Sequence, residues 1–354
     1  MQAPVKLGIV GLGRWASVLA RAALRSDRLK IVSAHSRSEE KRQAFAREFA
    51  VPTVADFATM LADPEILGVI LTVSNEQHLP VAREAARAGK HVYIEKPIAN
   101  TLEEGLAIEA LARHVAVTVG HCARLMAGIR TMRAAIDAGE LGRVAFLEAN
   151  FSTARALDLT PKAWRWYQAK APGGPLSQLA IHQFDVLRYL GGEILEASAT
   201  ASKLSPVGAE VDDQSMTLVK FADGKVGYVG ACWTSPGVFA VRVFGAKGVM
   251  HYEIDAGLWD TPETLHRGAT LYIQRAGYGG REELAVPQSD MFRAELEMFA
   301  QSCLTGRAGE LDAANANAAV AVLQAALASI ASGRSVRIAD IVAAARGRAA
   351  QRAM

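Results

Sequence analysis

Cysteine is scarce in this chain. Only Cys122, Cys232 and Cys303 occur among 354 residues, and no two form a CxxC pair. This argues against a disulfide framework or a thiolate zinc site, and reduced thiols in a cytoplasmic protein are the simple reading; no metal site is expected. An excess of one charge is missing too, since 39 basic and 36 acidic residues leave a net charge of +3. Nucleic-acid binding calls for a clustered basic surface, so this balance argues against it. No signal peptide precedes the first expected strand near Val5, and no internal repeat is found. Residues 313–333 carry no charge, but they are mostly Ala and include Asn315, Asn317 and Gln324. Such a segment inserts weakly, so no membrane partner is expected. Its Val320, Leu323, Leu327 and Ile330 recur at helical spacing, which fits a buried helix packed between domains.

The remainder describes a soluble globular protein, 51% hydrophobic and 21% charged, long enough for two domains. Apolar runs at residues 5–10, 29–34, 68–72, 91–94 and 115–120 read as strands. Helical segments follow at about 14–25, 39–49, 56–61, 77–88 and 102–113, with Gly89 closing the fourth. Alternation of this kind means a parallel sheet covered on both faces. After Gly120 the pattern changes. A helix at 125–138 and a strand at 143–152 precede a loop rich in Trp, Gly and Pro, then a helix at 178–190. Strands follow at 197–203, 215–221, 226–233, 238–244 and 249–253, with a hairpin signal at Asp223-Gly224. Consecutive strands with tight turns predict an antiparallel meander, so this half is α+β. Two helices follow, capped by Ser289 and Asp312, and an Ala- and Arg-rich tail after Ala339 that is expected to fray. The expected division is an α/β Rossmann domain, residues 1–121, and an α+β domain, residues 122–354, with an open, mostly antiparallel sheet. Its C-terminal helices can pack back on the first domain.

Several stretches carry chemistry. Gly11, Gly13 and Ala16 fit the G-x-G-x-x-G/A fingerprint between a strand and a helix. The first Gly makes the tight turn, the second admits a pyrophosphate close to the backbone, and the third position needs a small residue. Leu12, Arg14 and Trp15 belong to the same turn, and the helix start behind it offers N–H groups to phosphate. At the end of the second strand, NAD sites place an acid; here the residues are His35-Ser36-Arg37-Ser38, with no acid until Glu39. Ser36 and Arg37 suit a 2′-phosphate and favour NADP(H). NAD(H) remains possible if Glu39 or Glu40 reaches the ribose. Thr72, Val73 and Asn75 end the third strand, along the expected cofactor edge. His78 follows; it reads equally as a helix N-terminal residue without chemistry. Glu95-Lys96-Pro97 ends a short buried strand where Pro97 cannot continue it, which places Glu95 and Lys96 at the sheet edge where ligands bind. An isolated lysine there would ordinarily be a surface charge.

Taken together, these motifs resemble the Gfo/Idh/MocA oxidoreductases over nearly the whole length. The resemblance rests on the glycine turn, on Glu95-Lys96-Pro97, and on Gly120-His121 with Arg124. It continues through Trp164-Arg165 and Gly173-Gly174-Pro175 to His182-Gln183-Phe184-Asp185. It implies that Lys96 is the active-site lysine, often beside an unusual X-Pro bond, that His182 transfers the proton, and that Ser36-Arg37 matches NADP users. The family usually has Asp four residues before the histidine; this chain has Gln178, which cannot take a proton. On a helix starting near Pro175, positions 178, 182 and 185 share a face, so Gln178 can bind substrate and Asp185 can orient His182. Trp164, Arg165 and Arg124 suit a polyhydroxylated or anionic small-molecule substrate. For Trp166 and Tyr167, packing within the loop is the preferred reading. The implied activity is reversible NADP(H)-dependent oxidation of a secondary alcohol of a sugar, polyol, cyclitol or ring diol. The alternatives are a non-catalytic NADP(H) sensor or scaffold and a glycoside-cleaving enzyme using transient oxidation. The resemblance also implies a homodimer or homotetramer formed through the C-terminal sheet.

Overall fold

The structure is a computed structural model that describes residues 3–277 and 279–353. It divides into two compact units. The first runs to His121 and takes back Asp290–Asn317; the second comprises Cys122–Ser289 and the chain from Ala318 onward.

In the first unit, six strands alternate with helices: β1 (Val5–Val10), α1 (Arg14–Leu24), β2 (Leu29–His35), α2 (Glu39–Phe49), β3 (Thr53–Val54), α3 (Phe57–Ala62), β4 (Gly68–Leu71), α4 (His78–Arg87), β5 (His91–Ile94), α5 (Leu102–Glu109) and β6 (Val117–Val119). All pair in parallel in the order β3-β2-β1-β4-β5-β6, the doubly wound Rossmann order. Its strands are continuous apolar runs because both faces are covered; every residue of β4 is buried. The two-residue β3 was not foreseen, being too short to show a period. The order reverses between β1 and β4, and that is where a doubly wound sheet leaves a crevice at its strand ends.

The second unit begins with α6 (Ala127–Asp137) and β7 (Val144–Ser152). After a long loop, α7 (Ile181–Gly191) leads to β8 (Ile194–Ser202), β9 (Gln214–Phe221), β10 (Val226–Cys232), β11 (Val238–Gly245), β12 (Gly248–Ile254), β13 (Thr270–Arg275) and β14 (Glu282–Glu283). Then come α8 (Met291–Thr305) in the first unit, α9 (Ala313–Ser332), β15 (Val336–Arg337) and α10 (Ile338–Ala353). The nine-stranded sheet runs β14-β13-β12-β11-β7-β10-β9-β8-β15. It is antiparallel except where β7 and β10 lie parallel. The expected meander is therefore interrupted, because β7 inserts between β10 and β11. Strands β13 to β15 were not foreseen. Asp223-Gly224 does close the β9–β10 turn, with Gly224 at φ 89°.

The cap of one helix differs from expectation, and the burial of another agrees with it. Asp290, not Ser289, caps α8 and accepts from the backbone N–H groups of Phe292 and Arg293. One oxygen of that carboxylate satisfies two of the orphan donors of the first turn. The α9 helix is long and apolar enough to cross a membrane by length and composition alone, yet 61% of that window is buried within the structure.

Candidate functional site

In the first unit, the glycine turn is built by close approach of β1 and β4. Gly11 adopts φ 91°, and a Cβ there would lie 2.8 Å from both the Val73 amide nitrogen and Val73 Cγ1. Thr72 Oγ1 donates to the Gly11 carbonyl at 2.5 Å and to the Val10 carbonyl at 3.2 Å, tying the two strand ends together. A Cβ on Gly13, by contrast, would meet nothing within 4 Å, so the backbone faces open space. Gly13 caps α1 without a side-chain hydrogen bond, which leaves the first-turn N–H groups available to an anion. A pyrophosphate fits this cradle. The adjoining cleft of about 410 Å³ is lined by Gly11, Leu12, Gly13, His35, Ser36, Arg37, Lys41, Thr72 and Val73, among others.

The structure thus gathers Gly11, Leu12, Gly13, Ser36, Arg37, Thr72 and Val73 around one cleft. It adds Lys41, in the first turn of α2 and four residues after Arg37, which sequence reasoning missed. Arg42 donates to the Ser36 carbonyl at 2.6 Å and holds that turn. Glu39 is outside the cleft lining; it accepts from Gln43 Nε2.

Other expected cofactor contacts are placed differently. Arg14 is exposed and stacks over Trp15, whose ring packs edge-on against Phe292 at 5.7 Å. Asn75 is buried and donates to Asn100 at 2.8 Å. His78 has to be corrected: it is 0% exposed and cannot line a cleft. Its ring nitrogens stand 3.1 to 3.3 Å from the carbonyls of Pro97, Ile98 and Val73. Burial holds its pKa below the usual histidine value. His78 is therefore a neutral clamp joining the end of β4 to the segment after Lys96. The Lys96–Pro97 bond is cis. Lys96 is half-buried, whereas the Glu95 carboxyl turns inward, accepting from Tyr93 at 3.3 Å.

In the second unit, Gly173 and Gly174 both take positive φ, 70° and 53°. A Cβ on Gly174 would lie 2.2 Å from the Asp212 carbonyl oxygen, so the turn requires glycine. The α-helix expected from Pro175 does not start there. Leu176–Ala180 forms a π-helical turn, and α7 begins only at Ile181. The wider turn alters the angle between positions 178 and 182; such turns occur frequently at functional sites. Gln178 is buried, and its Oε1 accepts from Arg165 Nε at 3.2 Å. Arg165 stacks on Trp164 with 4.2 Å between guanidinium and ring centre. His182 is 2% exposed and sits among aromatic rings, 5.6 Å from Phe151 and 5.2 Å from Trp259. Trp259 carried no sequence signal; it lies just beyond a short helical turn after β12. Trp166 and Tyr167 belong to the loop's own packing: Trp166 lies over Gly208, and the Tyr167 hydroxyl donates to the Pro161 carbonyl at 2.9 Å.

Arg124 and Asp185 were expected at substrate and at His182. Instead they meet each other. Arg124 Nε donates to Asp185 Oδ2 at 2.8 Å and Nη2 to Oδ1, a bidentate pair with side chains 5% and 1% exposed. A guanidinium and a carboxylate this deeply buried satisfy one another.

Residues 5–121 match the profile described as an oxidoreductase family with an NAD-binding Rossmann fold, and residues 129–251 match the GFO/IDH/MocA C-terminal domain. A 1,5-anhydro-D-fructose reductase of Ensifer adhaerens is 31% identical over 68% of this chain and 72% of its own. The chain belongs to the Gfo/Idh/MocA family.

It is an oxidoreductase of that family, with the family's nucleotide domain and mixed, mostly antiparallel second sheet. A levoglucosan dehydrogenase of Pseudarthrobacter phenanthrenivorans is 29% identical over 59% of this chain and 61% of its own. Among solved structures, a protein of Desulfitobacterium hafniense provisionally assigned as an NADPH-dependent oxidoreductase superposes with a TM-score of 0.92. It is 35% identical, covering 97% of this chain and all of that one.

Proposed function

We propose that this member of the family is an NADP(H)-dependent dehydrogenase or reductase. It acts on a secondary alcohol or ketone of a sugar, polyol, cyclitol or related ring diol in the cytoplasm. The observation that carries the cofactor choice is the cleft lining. Ser36, Arg37 and Lys41 face it, while Glu39 is engaged with Gln43. Two cations and a hydroxyl suit a 2′-phosphate, and the ribose 2′-OH lacks the acid that NAD sites place there. The provisional NADPH assignment of the Desulfitobacterium protein supports this reading. The relatives named for anhydrofructose, levoglucosan and scyllo-inositol support the substrate class.

The bound dinucleotide supplies the hydride acceptor or donor. Gly11, Leu12, Gly13 and the start of α1 hold its pyrophosphate. Lys96 hydrogen-bonds and polarises the reacting oxygen, and His182 takes or gives the hydroxyl proton. The amide of Gln178 binds a substrate hydroxyl without exchanging a proton, and Trp164 and Arg165 offer a ring face and a cation to a polyhydroxylated molecule. Self-association through the second sheet belongs to the same reading. Met216, Leu218 and Val226 are exposed on that sheet, 50%, 57% and 48%, beside a cluster of Phe146, Tyr228 and Phe244. Light scattering of the native chain and of Leu218→Glu tests it.

The central test is a titration with NADPH and NADH, followed by a polyol and carbonyl panel read at the nicotinamide absorbance. NADPH should bind more tightly, and Arg37→Ala should narrow the gap. Lys96→Met should retain cofactor and lose at least about a hundredfold in turnover, the scale of a positioned acid–base group. Equal affinities for the two dinucleotides would refute the cofactor choice. Cofactor binding without turnover on any panel member would favour a sensor, and glycoside cleavage without net cofactor change would favour transient oxidation.

A further inference from the structure

In the second unit an aromatic wall stands against the His182 imidazole, and one of its members comes from a turn without a motif. Phe151 of β7 and Phe239 of β11 face each other across adjacent strands, their rings 5.4 Å apart. Trp259 lies against both, 4.6 Å from Phe151 and 5.5 Å from Phe239. His182, the second residue of α7, completes the cluster. Its ring is 5.6 Å from Phe151 at 52° and 5.2 Å from Trp259 at 63°, the second contact edge-on. All four side chains are buried. Each separation lies in the span of roughly 4.5–7 Å over which aromatic rings attract.

Local chemistry brings Trp259 to this place. Strand β12 ends at Ile254, and Asp255 caps the short helical turn that follows, accepting from the Gly257 N–H at 2.7 Å. The Ala256 N–H donates to the Gly237 carbonyl at 3.4 Å, and the Trp259 N–H to the Ala256 carbonyl at 3.2 Å. Gly237 permits the approach, because a Cβ there would lie 3.1 Å from the Gly257 nitrogen and 3.2 Å from Ala256 Cβ. Asp255, Gly257 and Asp260 are exposed while Trp259 turns inward. The indole is thus held by its own backbone turn and by two phenylalanines, independently of its contact with the histidine.

We infer that Trp259 is a positioning residue for His182: with Phe151 it forms the slot that holds the imidazole in one orientation, and turnover depends on it. The inference rests on the reading of His182 as the proton-transfer residue. Proton transfer requires a ring nitrogen within hydrogen-bond reach of the reacting hydroxyl, so an imidazole that swings between rotamers is in reach for only part of the time. An imidazole in contact with two fixed rings loses that freedom on folding, before substrate arrives. The indole N–H is a donor that does not titrate, so Trp259 itself carries no proton for the reaction.

Two readouts test it, both on the full chain. The first is the NMR signal of the His182 Hε1 proton in histidine-labelled protein, identified by its loss in His182→Asn. The currents of the neighbouring rings should displace it from the signal of exposed His114. Trp259→Leu should move it back toward that signal, and Trp259→Phe should move it by less. The second is turnover, read at the nicotinamide absorbance with the member of the polyol and carbonyl panel on which the native chain is fastest. Trp259→Leu should lower kcat between about tenfold and a hundredfold, the scale of a misplaced reacting group. KM and the Kd for NADPH should stay within about twofold, because Trp259 adds nothing to ground-state binding. Trp259→Phe should recover most of kcat. In the His182→Asn background Trp259→Leu should cost little more, since the ring it positions is gone. A His182 signal unmoved in Trp259→Phe and Trp259→Leu would overturn the inference, and the first variant alone decides this if the second does not fold. So would a raised KM with kcat kept, which would make Trp259 a substrate wall, or an equal loss of kcat in the His182→Asn background. The NMR signal is read without substrate, so failure of the dehydrogenase reading would appear separately, in the panel.

Discussion

Replacing Asp185 with Asn separates two roles for the same side chain. By its position three residues after His182, Asp185 reads as a residue that orients histidine or meets substrate; in the structure it is the carboxylate of a buried ion pair with Arg124. The substitution keeps the shape and removes the charge, leaving the Arg124 guanidinium facing an amide. The nearby ring of Tyr189 lies 5.4 Å from Arg124 and also receives Arg130 and Arg133, at 5.1 and 5.7 Å. Three cations converge on that one ring, and Arg133 has its own carboxylate in Asp137. Breaking a buried pair by removing one partner costs about 3–5 kcal/mol. For a unit of roughly 200 residues, at about 2–4 °C per kcal/mol, the melting temperature should drop on the order of 10 °C. Differential scanning calorimetry resolves this if the two units melt separately. The double variant Arg124→Met/Asp185→Leu should recover most of the loss, because it removes both charges together, and with the single variants Arg124→Met and Asp185→Leu the cycle yields a coupling of about 2 kcal/mol or more. If Asp185→Asn melts within about 2 °C of wild type while raising KM for a polyol substrate, the ion-pair role is refuted and the side chain belongs to substrate after all.

Gly11→Ala should abolish or severely weaken dinucleotide binding by fluorescence titration, because its Cβ would stand 2.8 Å from the Val73 amide in a left-handed backbone; near-normal affinity would show that the two strand ends can part. Gln178→Asp restores the family's acid beside His182 and faces Arg165, so the histidine pKa should rise and the pH–rate profile for oxidation should move upward; an unmoved profile would mean that the two positions do not interact. Glu95 links stability to pH. The folded state holds its proton up to about pH 7 while the unfolded chain releases it near 4.5. Stability should therefore fall as pH rises through that window, by about 3 kcal/mol in all. Thermal melts from pH 4 to 8 should show a flatter dependence in Glu95→Gln, and parallel curves for the two proteins would contradict the shift.

The sequence alone determined those features that depend on local backbone chemistry. Gly11 and Gly13 sit where one residue must take positive φ and the other must leave space. Apolar runs that alternate with helices demand a parallel sheet. Asp223-Gly224 demands a hairpin, and the chain closes it there. The tertiary structure decided what depends on which side chains end up face to face. His78 looks like a candidate ligand until burial makes it a clamp between two backbone segments. Arg124 and Asp185, 61 residues apart, read as separate polar groups until the fold joins them in one ion pair. The π-turn before α7 has no periodic signature, since five residues are too few to distinguish a wider helix from an ordinary one. Lys41 and Trp259 have no local motif at all. Glu295 reads as one of two acids on an amphipathic helix, and its burial arises because α8 returns from the far end of the chain to cover β5 in the first unit. Local rules see only neighbours along the chain; the charge state of a buried group is set by neighbours in space, and those exist only once the core has closed around it.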